Sequence, residues 1–157
     1  MRKFIQKKLK EQKGMTLIEL LAVIVILAII AAIAIPAIGG IIENSRVGAA
    51  KSDALNVLAA AELYVLDHED AFTEGKKNIT GKELIDGNYM KDTGTFKEDL
   101  KGVTVTVETT PGDGLELSGT ATAGDIVITF ENATKAVISA VSNSDRTNEN
   151  TLTIDKP

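Results

Sequence analysis

The stretch Gly14-Met15-Thr16-Leu17-Ile18-Glu19 decides the fold, because it joins a basic N-terminal segment to a long apolar run. Residues 1–14 carry six basic side chains against one acid, Glu11. Residues 20–42 carry no charged side chain. A helix that crosses a membrane needs about 20 apolar residues, so this run predicts a membrane helix. Because basic flanks stay in the cytoplasm, we expect residues from 43 onward to lie on the outer side of the membrane.

Glu19 is the most informative residue of this stretch, because it places a carboxylate at the start of the apolar run. An ionisable group inside a membrane segment is costly unless it is paired, and it often marks a function. Glu19 could also lie among the lipid headgroups as an interfacial charge. Physical chemistry alone leaves these two interpretations open.

The same residues resemble the processing motif of type IV prepilins and their pseudopilin relatives. That motif consists of a basic leader, Gly, a hydrophobic residue, Thr-Leu-Ile-Glu and a long apolar run, and the resemblance extends to about residue 70. It implies cleavage after Gly14 by a prepilin peptidase, and N-methylation of the new N-terminus, Met15, by the same enzyme. It also implies that Glu19 pairs with the N-terminal amine of a neighbouring subunit during assembly. Because an ammonium offsets the cost of a buried carboxylate only in the correct geometry, this pair would set the register of assembly.

The resemblance implies a structural subunit that is not an enzyme and needs no cofactor. This subunit would be a single-pass membrane protein with its leader on the cytoplasmic side, and would then polymerise through its N-terminal helix into a surface pilus. The implied partners are copies of the chain, the prepilin peptidase, a platform membrane protein and a separate assembly ATPase. The alternatives are a pseudopilin of a competence or type II secretion fibre and a monomeric membrane-tethered binding module. The sequence does not choose between a major and a minor subunit, or among adhesion, motility and DNA uptake.

Two other interpretations of the N-terminus compete with the prepilin. A secretory signal peptide ends in a small-x-small site, and Ala32-Ile33-Ala34 supplies one. Glu19 interrupts the start of its apolar region, and Pro36 stands two residues past the cut; both count against it. The second competitor is an uncleaved signal anchor. The combination of leader, Gly14, Glu19 and apolar run favours the prepilin.

The remainder of the chain is acidic and the whole chain lacks cysteine. Residues 43–157 hold 20 acidic and 11 basic side chains, a formal charge of −9. Such a surface argues against direct nucleic acid binding, which needs Lys and Arg. The lack of cysteine excludes disulfides, thiol nucleophiles and Cys metal sites. Among pilins, the resemblance is therefore to cysteine-free, Gram-positive-like members.

We predict an α+β fold in which a long N-terminal helix packs on an antiparallel β-sheet head, the pilin fold. The predicted order is a leader at 1–14, an apolar helix at 15–42, its amphipathic continuation at 43–70, a connecting segment with a short helix at 71–101, and the head at 102–157. Apolar residues of the continuation recur at helical spacing: Val47, Ala50, Ala54, Val57, Leu58, Ala61 and Val65. The helix is expected to end near Asp67–Asp70.

Pro36, Gly39 and Gly40 interrupt the helical pattern. Pro removes a backbone hydrogen bond and Gly weakens a helix. One interpretation is a tolerated kink, since both residues are common in membrane helices. The other, which we favour, is a segment that unwinds when the subunit leaves the bilayer and enters the filament, as the resemblance implies.

The second half of the chain shows local signals for short elements. Thr80-Gly81-Lys82-Glu83 has the form of a capping box and predicts a helix at about Gly81–Asp86, ended by Gly87. Tyr89, Met90 and Phe96 are expected to pack on the head. A period of two then predicts an antiparallel meander. Its strands fall at residues 103–108, 115–118, 126–131 and 136–141, its turns at 111–114, 123–125 and 132–134, and a short edge strand at Leu152 and Ile154.

The sequence offers no catalytic residue and no metal site. His68 is its single histidine, and we interpret it as a surface residue at a helix end, because metal sites cluster several ligands. Nucleophile-elbow and phosphate-loop motifs are absent. Residues 145–150 lack the ligand spacing of a calcium loop. The sequons that begin at Asn78 and Asn132 are interpreted as chance matches.

Overall fold

The computed structural model describes residues 2–73, 78–96, 100–107, 114–145 and 150–156, with the backbone alone for 2–16 and 73. Its elements, in chain order, are α1 Arg2–Asp67, α2 Glu69–Thr73, β1 Asn78–Thr80, α3 Gly81–Asp86, β2 Thr104–Val107, β3 Leu115–Ala123, β4 Ile126–Ala133, α4 Lys135–Ala140 and β5 Thr151–Asp155. They form two compact units, Met1–Ile41 and Ile42–Pro157. We call the second unit the head.

Helix α1 ends at Asp67, as the sequence predicts. Its backbone is helical through Pro36, Gly39 and Gly40. The predicted unwinding of this segment concerns the assembled filament and stays a prediction.

The head contains a five-stranded sheet in the order β1-β2-β3-β4-β5. The pairs from β1 to β4 are antiparallel, and β5 lies parallel to β4 at the edge. The predicted α+β class is confirmed, and so is the edge strand around Leu152 and Ile154. The parallel pairing of that strand is a feature that the meander prediction did not contain.

The helical stripe of α1 and the sheet contribute to one hydrophobic core. From the stripe, the residues with no exposed surface are Val47, Ala50, Ala54, Val57, Leu58 and Ala61, while Val65 is half-buried. From the sheet, alternate residues point inward, among them Val105, Leu117, Ile128, Phe130 and Ile154. Apolar residues recur every three or four positions in α1 and every second position in the strands, and this change of spacing correctly identified both layers of the head.

The short helix α3 has the bounds predicted from its capping box. The Thr80 hydroxyl accepts from the Glu83 backbone N–H at 3.4 Å, and the Glu83 carboxylate accepts from the Thr80 backbone N–H at 2.7 Å. The predicted stop is also confirmed, since Gly87 is the C-cap. Phe96 is buried, and Tyr89 and Met90 pack against the core.

The predicted fourth strand at residues 136–141 is wrong, because these residues form α4. Thr134 is its N-cap, and its hydroxyl accepts from the Val137 backbone N–H at 3.4 Å. A capping hydroxyl satisfies a helix-end donor and favours a helix over a strand. Ile138 is the fully buried residue of this turn-and-a-half of helix. The apolar alternation around Ile138 was too short to distinguish a helix from a strand.

Other boundaries also differ from the prediction. Strand β3 extends to Ala123, well past Ser118, because the small residues Ala121 and Ala123 are buried in place of larger ones. Residues 132 and 133 belong to β4, so the turn predicted at 132–134 is wrong there. Helix α2 and strand β1 were missed. The turn predicted at 111–114 lies outside the described residues except for Gly114, and so do residues 146–149 of the stretch 145–150.

Candidate functional site

The apolar segment, defined here as residues 17–41 of α1, exposes its large side chains. Every Leu, Ile and Val in it is at least 51% exposed. The lowest value belongs to Ile38 and the highest, 73%, to Ile33. Exposed apolar patches of this extent mark contacts with a membrane or another protein. This segment is therefore the candidate functional site.

The backbone of the apolar segment suits an environment without water. Apart from the one hydrogen bond that Pro36 removes, its helix satisfies its own backbone hydrogen bonds, which is the condition for entering lipid. At 1.5 Å per residue the segment is about 37 Å long, enough to cross a hydrocarbon core of about 30 Å. Among the helices of the described residues, α1 is the one with the length and composition to span a membrane.

Glu19 is exposed near the start of the apolar segment. Within the described part of the chain, no hydrogen bond or ion pair is found for its carboxylate. Gly14 and Met15 lie on the same helix, in the part of it for which the structure describes the backbone alone. The structure therefore places Met15 and Glu19 four residues apart on one helix, and leaves their predicted roles as predictions.

Among the described residues, none packs against Gly39 or Gly40 in a way that requires glycine. A Cβ atom added at either position would meet no atom within 4 Å. Neither residue has the positive φ that would demand glycine. Weak helix propensity is therefore the property of glycine that can account for its presence at these two positions.

Polar contacts in the head fasten loops to α1. The Asp53 carboxylate accepts from the Thr95 backbone N–H and from the Thr95 hydroxyl, both at 2.8 Å. Gly94 has a φ of +56°, and a Cβ there would overlap that carboxylate. Lys51 donates to the Val141 carbonyl and to Asn143 Oδ1. The sequence showed Lys51 and Asp53 on the polar face of the helix, but no pattern indicated these partners.

His68 lies at the end of α1, as the sequence predicts, and it is exposed. Its ring stacks on Tyr64 with centroids 4.2 Å apart, and Nδ1 lies 3.0 Å from the Tyr64 carbonyl oxygen. In the part of the chain that the structure describes, no group of three potential metal ligands is found. These contacts explain the position of His68 by packing.

The Tyr89 hydroxyl donates to Asp67 Oδ2 at 2.7 Å. This hydrogen bond, then partial desolvation and the negative charge of Asp67, raise the pKa of Tyr89 above its ordinary value. The contact ties the loop after α3 to the last turn of α1. We interpret it as a structural contact.

Comparisons with known proteins agree with the exposed segment and its motif. Residues 9–35 match a family model described as the prokaryotic N-terminal methylation motif. The chain is 34% identical over 82 residues to the type IV major fimbrial protein FimA of Dichelobacter nodosus. The aligned region is 52% of each protein, so the chain spans about half the length of this curated relative. No solved structure matches at a significant level. The resemblance to type IV pilins that the sequence predicted is confirmed by the two matches.

Proposed function

We propose that this chain, which is similar to type IV pilins in its N-terminal motif and its α+β architecture, is a structural subunit that polymerises through the apolar segment into a surface pilus. Type IV pilins are structural proteins and not enzymes, in line with the non-enzymatic role predicted from the sequence. The observation that carries the proposal is the apolar segment itself. It is exposed and uncharged from Leu20 onward, and the matched motif at residues 9–35 covers most of it.

Packing of apolar helices in the filament core supplies the driving force for assembly. The gain of about 1.5–3 kcal/mol for each Leu or Ile that moves fully out of water is made earlier, when the segment enters the membrane. In a membrane, lipid covers these side chains before assembly, so helix packing replaces contacts with lipid. The subunit is accordingly a single-pass membrane protein first and a filament component later.

In this proposal, three residues control the cleavage of the leader and the register of subunits in the filament: Gly14, Met15 and Glu19. A prepilin peptidase cuts after Gly14 on the cytoplasmic side and methylates the amine of Met15. Glu19 then pairs with the Met15 amine of a neighbouring copy. Because an unpaired carboxylate in an apolar core is strongly unfavourable, copies that are out of register are rejected. The platform membrane protein and the separate assembly ATPase complete the set of partners.

Pro36, Gly39 and Gly40 form the segment of α1 that unwinds on assembly. In this segment the helix lacks one hydrogen bond and has two residues of low propensity. In the part of the chain that the structure describes, no contact requires those glycines. Local unwinding would let the apolar segment adjust to its neighbours without disturbing the head.

The first test is the N-terminus and intact mass of the protein taken from its native cell. We expect a chain that begins at N-methylated Met15. A chain beginning at Ile35 would mean signal-peptide cleavage and would overturn the polymer. Filament-free protein that retains Met1 would support a simple membrane anchor or the tethered binding module. Long surface filaments would indicate a pilus subunit, and a short fibre would indicate a pseudopilin.

The second test is Glu19→Ala, with Glu131→Ala as its control. Glu131 is an exposed carboxylate of the head, so both variants lose one acid. We expect normal cleavage and a strong loss of filaments for Glu19→Ala, and wild-type yield for Glu131→Ala. Wild-type filament yield from Glu19→Ala would disprove the register role.

A further inference from the structure

The head has an open apolar notch at the C-terminal end of α1. Its volume is about 300 Å³, and it is lined by Glu62, Val65, Leu66 and Leu115. Leu66 is 72% exposed, and Leu63, one turn earlier, is 56% exposed. A dry apolar cavity of about 150 Å³ holds a benzene molecule, so this notch has room for one or two aliphatic side chains.

Among the lining residues that the structure describes, Glu62 is the charged one, and its charge is neutralised within the head. Glu62 Oε1 accepts from Lys135 Nζ at 2.6 Å. Both side chains are about half exposed, so this pair forms a polar rim with water access. Polar rims around apolar centres are the usual arrangement of protein interfaces.

The helix that leads to the notch presents an uncharged face to solvent. Its exposed positions at alternating three- and four-residue spacing are Ile42, Ser45, Ala49, Ser52, Asn56, Ala59, Leu63 and Leu66. This spacing is that of a helix–helix seam. Small residues in the middle of such a face allow a second helix to approach closely. The large residues stand at its ends, and the notch lies at the C-terminal end.

We infer that the notch binds apolar side chains from the apolar segment of a second copy of this chain. The inference rests on the proposed function and adds the site on the head that receives the neighbour. The chain itself displays the matching chemistry, because residues 17–41 expose Leu, Ile and Val side chains. The sequence between Leu20 and Ile42 has no charge, so it meets no repulsion at an apolar notch.

Charge argues for this segment over a second head as the occupant. Residues 43–157 carry a formal charge of −9, so two heads brought face to face repel each other. A contact between the notch of one copy and the apolar segment of another joins two different surfaces. Such heterologous contacts leave a free surface at each end and build open helical filaments. The notch would thereby fix how far the head of one subunit lies along the helix of the next.

Disulfide cross-linking in filaments from the native cell tests this contact. The chain has no cysteine, so every cross-link involves the introduced cysteines, and peptide mapping by mass spectrometry identifies the links that join the two different positions. Leu66→Cys is combined in turn with a cysteine at Ile35, Ile38 or Ile41, and the scan is extended toward residue 17. We expect at least one combination to give a ladder of oligomers that reductant removes. The control is Val127→Cys in the same combinations, because Val127 is a 40% exposed apolar residue on β4.

The outcomes separate this inference from the proposed function. Filaments that form normally but give no ladder with any Leu66 combination overturn the notch contact and leave the polymer intact. A cross-link from Leu66 to a different protein, identified by mass spectrometry, also overturns it. If the unmodified protein forms no filament, the proposed function itself fails.

A charge variant gives an independent measure. Leu66→Lys places an ammonium in the contact, and we expect filament yield to fall about tenfold or more. Val127→Lys should leave the yield unchanged. The exposure of Leu66 predicts an unaltered unfolding transition for the isolated Leu66→Lys subunit in detergent, which separates lost assembly from misfolding. Equal yields for the two lysine variants would contradict the inference.

Discussion

Helix α1 contains two apolar regions with opposite surroundings. In residues 17–41, every large apolar side chain is more than half exposed. In the stretch that belongs to the head, Val47, Val57 and Leu58 have no exposed surface. Both regions are helical and rich in aliphatic residues, so secondary structure does not distinguish them. The difference is whether the chain itself supplies the covering surface.

This difference separates folding from assembly. The head has its own core, so its stability is set by contacts within one chain. The apolar segment gains its free energy from lipid or from other copies. Substitutions should therefore divide into those that unfold the head and those that leave it folded but prevent assembly.

The largest expected effect comes from Phe130→Ala, which removes a side chain that is 1% exposed. Loss of a buried Phe costs about 3–5 kcal/mol in the free energy of unfolding. The matched substitution in the other region is Ile26→Ala, at a side chain that is 56% exposed. It should change the stability of the head by less than about 0.5 kcal/mol.

Both variants are measured by denaturant unfolding in detergent, with tyrosine fluorescence as the signal. Tyr64 and Tyr89 are the two tyrosines of the chain and both belong to the head. A large shift caused by Ile26→Ala would show that the two regions are not energetically separate.

Two carboxylates extend the comparison to charge. Glu116 is 6% exposed, and its Oε1 accepts from Lys156 Nζ at 2.6 Å. Lys156→Met leaves that buried carboxylate without its ammonium, which we expect to destabilise the head by about 1–3 kcal/mol. Glu19 is exposed, and Glu19→Gln should leave the unfolding midpoint unchanged.

The double variant Glu116→Gln with Lys156→Met identifies the cause. Because it removes both charges, it should lose less stability than Lys156→Met alone. Equal losses in the single and double variants would mean that packing of the Lys156 stem matters and the charge does not.

The sequence predicted those parts of the fold that local periodicity determines. The stripe on α1, the capping box of α3 and the inward alternation of β2 and β4 repeat over several residues, so each is visible in one dimension. The apolar segment was identified for the same reason. Its exposure follows from an apolar helix that has no polar face.

The remaining features depend on contacts between distant residues. The parallel pairing of β5 with β4 places α4 in the connection between the two strands, and no residue of β5 signals a direction. Asp53 meets Thr95 across 42 positions of sequence, and Lys51 meets Asn143 across 92. The notch, likewise, combines the end of α1 with Leu115 of β3. Such sites appear only when the chain is folded.

A smaller effect is expected at the cap of α3. Thr80→Ala removes the hydroxyl that accepts from the Glu83 backbone N–H, and N-cap losses cost about 1 kcal/mol. Thr80→Ser retains the hydroxyl and should stay within about 0.5 kcal/mol of wild type. Denaturant unfolding measures both. Similar losses for the two variants would point to the Thr80 methyl group or to strand β1 as the source of stability.

The smallest effect concerns Asp67, a carboxylate of α1 whose partner is neutral. Its hydrogen bond raises the pKa of Tyr89 above the ordinary value of about 10. A pKa that is higher in the folded chain stabilises the head below the pKa of the unfolded chain. That contribution is lost as pH rises through the folded pKa. The stability gained from the pair should therefore be constant at neutral pH and decline only above about pH 10.

Absorbance titration of tyrosinate measures this shift. In a Tyr64→Phe background, Tyr89 is the remaining tyrosine, so the titration reports one group. Asp67→Asn removes the negative charge that disfavours the tyrosinate, and we expect the pKa of Tyr89 to fall toward its ordinary value. An unchanged titration would show that desolvation, the second cause of the shift, outweighs the carboxylate. Because Asp67 adjoins Leu66, the proposed notch contact should desolvate this pair further and raise the pKa of Tyr89 more in filaments than in detergent-solubilised subunits. Identical curves from the two states would place the end of α1 outside the assembly contact.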